Sequence, residues 1–122
     1  MIKSSVAFYP CKSISQTERF YIEIIGLDCV FKTTNVRIFS CGSGYFGFVE
    51  YEGDIAPDNR ICLSLNCENR EDVDREYERM VRLGAAVRSN PSQHPSQPVY
   101  SFFLYDPDGY LVEFQKIDDM DL

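Results

Sequence analysis

Val99-Tyr-Ser-Phe-Phe-Leu-Tyr-Asp-Pro-Asp-Gly-Tyr-Leu-Val-Glu-Phe-Gln115 is the stretch on which the fold turns. Two β-rich runs flank Asp106-Pro107-Asp108-Gly109, which is turn chemistry. Asp opens the turn, Pro107 pre-sets φ, and Gly109 can take positive φ. The spacing predicts a hairpin. Its second strand alternates, with Tyr110, Val112 and Phe114 on one face and Leu111, Glu113 and Gln115 on the other. A carboxylate in mid-strand between large apolar residues makes Glu113 the first candidate for chemistry.

Upstream, the element order occurs twice. Val6 to Tyr9 reads as a strand, and Ser15-Gln-Thr-Glu18 as a capping box opening a helix with Phe20, Tyr21, Ile24 and Ile25 on it. Gly26 is a left-handed stop. Strands are expected at 29–32, 36–40 and 46–51. The pattern restarts with a strand at 60–65, an Asn69 N-cap, and a helical stripe of Val73, Tyr77, Met80, Val81 and Leu83. Ala85 to Val87 is a short strand, Arg88 to Pro98 a Pro/Ser/Gln-rich loop, and the hairpin closes the unit. The fold class is therefore α+β, two βαβββ modules in a single 1–122 domain: module 1–51, module 59–117 and linker 52–58. Gly42-Ser-Gly-Tyr-Phe-Gly47 matches GxGxxG, but a β-rich run follows it where a dinucleotide loop needs a helix.

The totals narrow the field. At 122 residues one compact domain is expected. A net charge of −7 disfavours nucleic-acid backbones and mildly favours a cationic guest. No export signal opens the chain and no run is long enough for a membrane span. The five cysteines lack a CxxC and read as reduced thiols in a cytoplasm. His94, the single histidine, sits in a loop and is read as a rim residue; no His pair exists for a zinc site or triad.

Strand alternation then nominates a site. Val6 and Phe8, Ile61 to Leu65 at alternate positions, and Val112 with Phe114 give strongly apolar faces, expected under the helices. The opposite faces are mixed: Ser5 and Tyr9; Arg60, Cys62 and Ser64; Glu113. If the halves pair, these faces line one small-molecule concavity. Phe48 and Glu50, with Arg37 and Phe39, join from the first half, and Phe103 belongs to a dense set of strand aromatics suited to flat or cationic guests.

Arg19-Phe-Tyr-Ile-Glu-Ile-Ile-Gly-Leu27 and Asp106-Pro-Asp-Gly-Tyr-Leu-Val-Glu-Phe114, with the doubled βαβββ order, resemble the vicinal oxygen chelate superfamily, which includes glyoxalase I, bleomycin-resistance proteins, fosfomycin-modifying enzymes and extradiol dioxygenases. The resemblance implies a curved mixed sheet around a central cavity, a homodimer, and, in the enzymes, a divalent metal. Its ligands would come from the first strand of each module and from the glutamate after DPDG, which Glu113 matches. The usual histidine positions fall near Ser5 and Arg60, and neither residue is a histidine. Serine is a poor ligand and arginine repels a metal, so the expectation is no cofactor, with Glu113 as sole protein ligand and catalytic residue only if a divalent metal is bound. Arg60 would instead pair with Glu113. The leading expectation is a metal-independent small-molecule binder of the bleomycin-resistance type. A metal-dependent lyase, isomerase or dioxygenase, and a protein of association or regulation, stand behind it.

Overall fold

A computed structural model describes residues 1–122, which divide into two compact units, Met1–Ala56 and Pro57–Leu122. The division falls inside the polar connector. Each unit is α+β.

Unit 1 runs β1 (Ala7–Cys11), α1 (Ile14–Arg19), a π-helical turn (Phe20–Ile25), β2 (Asp28–Lys32), β3 (Val36–Ser40) and β4 (Tyr45–Glu50). The sheet order is β1-β4-β3-β2, with β1 parallel to β4 and the other pairs antiparallel. Pro10 is tolerated inside β1 because that strand is a sheet edge. The helix starts two residues earlier than the Ser15 box suggests. Ser13 is the N-cap and its Oγ accepts from the Gln16 N–H. Gly26, at φ +96°, stops the π turn as expected.

Glu18 is thereby released from capping and serves packing. Its carboxylate accepts from Arg37 Nε at 3.1 Å, and Arg37 is only 6% exposed. Arg37 Nη1 also donates to the carbonyls of Thr33 and Val36. An ion pair of this kind ties α1 to β3. Beside it lies the aromatic core, where Tyr21 stacks on Phe48 with centroids 4.8 Å apart and meets Phe39 at 5.4 Å.

The faces of unit 1 are therefore the reverse of the alternation argument. Tyr9, Cys11, Arg37, Phe39 and Phe48 lie on the helix side, whereas Phe8 is half exposed on the open side. Both faces of these strands carry large apolar residues, so hydrophobicity alone does not choose between them. Glu18 and the aromatic stack do.

Unit 2 runs β5 (Cys62–Asn66), α2 (Arg70–Arg82), β6 (Ala86–Val87), β7 (Ser92–Gln93), β8 (Val99–Tyr105) and β9 (Leu111–Ile117). Its sheet order is β5-β9-β8-β6, with β7 also on β8. The loop expected at 88–98 thus contains a two-residue strand. Asn69 caps α2 by accepting from Asp72 N–H at 2.8 Å. The hairpin turn is locked by Asp106, whose Oδ1 accepts from the N–H groups of Asp108 and Tyr110 at 2.9 Å each, with Gly109 at φ +90°. Here the predicted helix-side face holds except at Ile61, which precedes β5 and is exposed. Leu63, Leu65, Val112 and Phe114 are buried with Val73 and Met80, and Phe102 stacks on Phe114 at 5.3 Å.

The Arg37 hydrogen bond holds the Glu18 carboxyl below its ordinary value of 4.5. A depressed carboxyl adds stability that is complete above the unfolded value and lost as pH falls through the folded one. Arg37→Met is expected to cost about 1.5–3 kcal/mol at neutral pH, the worth of a hydrogen bond to a charged group. It should also flatten the acid limb of stability, read by urea denaturation across pH. An unchanged acid limb would show that the pair is not coupled to folding.

Candidate functional site

β5 and β9 run parallel, with Ser64 beside Glu113 and Cys62 beside Leu111. On the other side of β9, Phe103 stands opposite Glu113. Cys62, Ser64, Phe103 and Glu113 thus share the sheet face away from α2. Glu113 is 7% exposed. Ser64 Oγ donates to its Oε1 at 2.6 Å, and the Cys62 thiol reaches the same oxygen at 3.7 Å and Ser64 Oγ at 3.2 Å. Both donors converge on Oε1, so Oε2 carries no protein hydrogen bond. Neither donor is a cation, and no lysine or arginine makes an ion pair with Glu113. A carboxylate so covered draws on neutral partners alone, an arrangement that favours a positively charged or strongly donating guest.

The expected Arg60–Glu113 pair does not form. The Arg60 side chain is 90% exposed and forks onto Asp58, with Nη2 to Oδ2 at 2.7 Å and Nε to Oδ1 at 3.0 Å. Two residues of separation across a turn make that partner local, and the guanidinium reaches it without crossing the sheet. The pair lowers the Asp58 carboxyl and raises Arg60.

The other nominated residues scatter. Tyr9, Arg37, Phe39 and Phe48 are spent on the packing of unit 1. Glu50 Oε1 accepts from the backbone N–H of Ile14 at 3.2 Å, at the start of α1. His94 stays in its exposed loop, where Nδ1 accepts from the N–H groups of Ser96 and Gln97 at 3.1 Å each. Ser5 precedes β1 and lines a groove on the open face of unit 1 together with Ser4, Val6, Val30, Ile38 and Tyr45. Sequence reasoning passed over Val30, Ile38 and Tyr45. The parity of Gly47 against Phe46 and Phe48 is the signal that could have found them, because a glycine between two aromatics marks the face where no side chain is needed.

The donors around Glu113 are one carboxylate, one hydroxyl and one thiol. No group of three His, Cys, Asp or Glu side chains is gathered that could hold a metal ion. A hydroxyl already committed to the carboxylate adds little as a ligand. This set does not fit a divalent ion held as in the family enzymes.

Comparison with known proteins agrees with the fold. Residues 4–114 match the model of the Glyoxalase/Bleomycin resistance protein/Dioxygenase superfamily, and the chain belongs to that superfamily. Over 63 residues, 48% of this chain, it is 36% identical to a 2,2',3-trihydroxybiphenyl dioxygenase of Sphingomonas paucimobilis. The match spans 21% of that enzyme, about a fifth of its length. A glyoxalase/bleomycin resistance protein/dioxygenase family enzyme of Burkholderia phytofirmans superposes with a TM-score of 0.77 at 16% identity, covering 93% of this chain and 97% of that one. A lactoylglutathione lyase of Agrobacterium tumefaciens gives 0.75 at 21% identity, covering 91% and 90%. At those identities the likeness is one of fold.

Two outcomes follow from the cluster. Ser64→Ala and Glu113→Leu, combined in a double-mutant cycle of denaturation free energies, should show a coupling of about 1.5–3 kcal/mol. Additive effects would mean the 2.6 Å contact contributes nothing. Separately, desolvation of the sulfur, followed by the charge and hydrogen bond of Glu113, pushes the Cys62 thiol up, against the lowering effect of Ser64. Glu113→Gln should therefore speed alkylation of Cys62 by iodoacetamide at a fixed, mildly alkaline pH, read by mass spectrometry. An unchanged rate would show that the thiolate does not sense the carboxylate.

Proposed function

We propose that this protein binds a small cationic or aromatic molecule without a standard metal site, in the manner of the bleomycin-resistance members of its superfamily. The observation that carries the reading is the Glu113 carboxylate, with both neutral donors on one oxygen and the other left for a guest. An ammonium or amidinium on the ligand would supply the charge that the protein withholds. Phe103, directly opposite on β8, offers a ring to an aromatic body. The net charge of −7 draws cations toward the molecule. No helix is long and apolar enough to cross a membrane.

The match to a dioxygenase favours a second reading, a metal-dependent lyase or dioxygenase that uses Glu113 with an atypical ligand set. Elemental analysis of protein purified without a His-tag, before and after soaking in Ni, Mn, Fe(II) and Zn, separates the two. The first reading expects no stoichiometric metal, with benzamidine raising the melting temperature of the wild type and not of Glu113→Gln. Because a ligand stabilises by RT ln(1 + [L]/Kd), a hundredfold excess over Kd should add about 2.7 kcal/mol. Near-stoichiometric metal that disappears in Glu113→Gln would overturn this reading in favour of the enzyme.

A further inference from the structure

On the open face of unit 2, the row of residues through Glu113 extends one strand beyond Phe103. β6 pairs Ala86 with Tyr105 and Val87 with Leu104. The Arg88 N–H carries that ladder on, donating to the Phe103 carbonyl at 2.8 Å. Ser89 Oγ then accepts from the Phe103 N–H at 3.1 Å, where a strand carbonyl would otherwise stand. Residues directly opposed on antiparallel strands share a face. Leu104 is fully buried on the α2 side, so Val87 lies there with it and Arg88 lies with Phe103 on the other. The row therefore reads Ser64, Glu113, Phe103, Arg88. The rows on either side, centred on Leu111–Tyr105 and on Gln115–Ser101, carry no charge.

Arg88 also differs from the other arginines of unit 2. Arg60, Arg70, Arg75 and Arg79 each hold a carboxylate, and Arg82 lies in the last turn of α2. Arg88 is exposed, pairs with no carboxylate and donates from its guanidinium to no protein group. Two strand spacings of about 4.8 Å put its backbone about 10 Å from that of Glu113, with Phe103 between them. One row thus carries an anion, a ring and a cation in that order, and the two charges do not neutralise each other.

We infer, resting on the Glu113 reading above, that the guest of this site is a flat aromatic zwitterion whose anionic end is held by Arg88. Its ammonium donates to Oε2 of Glu113, its ring lies on Phe103, and its carboxylate accepts from the Arg88 fork. With a hydrogen bond of about 3 Å at each end, the two charges of the guest stand between about 4 and 10 Å apart. A benzene ring substituted at opposite corners spans that gap. Because Arg88 is exposed, its pairing adds little affinity and acts mainly to select among guests that already satisfy Glu113.

Calorimetric titration with 4-(aminomethyl)benzoate and with its methyl ester tests this. The ester keeps the ring and the ammonium and lacks the anion. Expected in the wild type is one guest per chain, with the acid bound about fivefold tighter than the ester. In Arg88→Gln the two should bind within about twofold of each other, the ester as in the wild type. In Arg88→Glu the order should invert. Circular dichroism checks that both variants fold, as expected for an exposed side chain. Glu113→Gln should lose both compounds. Equal binding of acid and ester by the wild type, or a preference that survives Arg88→Gln, would overturn the role of Arg88; ester binding that disappears in Glu113→Gln would leave the Glu113 reading standing. An ester that does not bind the wild type would overturn the Glu113 reading and the zwitterion with it.

Discussion

Each unit depends on one constraint: its opening strand lies parallel to its closing strand. Parallel neighbours cannot be joined by a tight turn, so a helical crossover must follow the opening strand. In unit 1, α1 and its π turn begin that return, and in unit 2 α2 does. Everything functional follows from the consequence for distance along the chain. Ser64 and Glu113 are far apart in sequence yet face each other because β5 and β9 pair in register. Slip that register by one residue and the carboxylate would point into the packing of α2.

The two sheets resolve the same topology with different chemistry. Unit 1 commits its one buried ion pair to the helix side, where Glu18 and Arg37 join α1 to β3, and lines the groove on its open face with uncharged residues. Unit 2 fills its helix side with Leu63, Val73, Met80, Val112 and stacked Phe102 and Phe114, and puts its carboxylate on the open face. The polar investment lies on opposite sides of otherwise similar sheets.

That difference also explains what could be read from the sequence. The hairpin at 106–109, the Asn69 cap, the Gly26 stop and the doubled βαβββ order rest on local chemistry, and the structure bears them out. In unit 2, Leu63 and Leu65 alternate with Cys62 and Ser64, and Val112 and Phe114 flank Glu113, so these faces were legible and Cys62, Ser64 and Glu113 do come together. In unit 1 both parities are apolar, and the choice of face was settled by a contact between Glu18 and Arg37 that no periodicity reports. Tyr9, Arg37, Phe39 and Phe48 were misplaced for that reason. Arg60 was misplaced because a nearby aspartate on the same turn outcompetes a distant glutamate.

The parallel closing pair also orders events in time during synthesis. The strand that completes each sheet is the last of its unit to be made. Until β4 emerges, β1 has no partner and the underside of α1 stays uncovered; until β9 emerges, the same holds for β5 and α2. The β8–β9 hairpin, whose pairing is local, can form as soon as it is made, and it then presents a ready edge to β5. Unit 1 holds all of its own sheet partners, so it can close while unit 2 is still being translated, and in each unit the opening strand and its helix stay uncovered until the closing strand has been made.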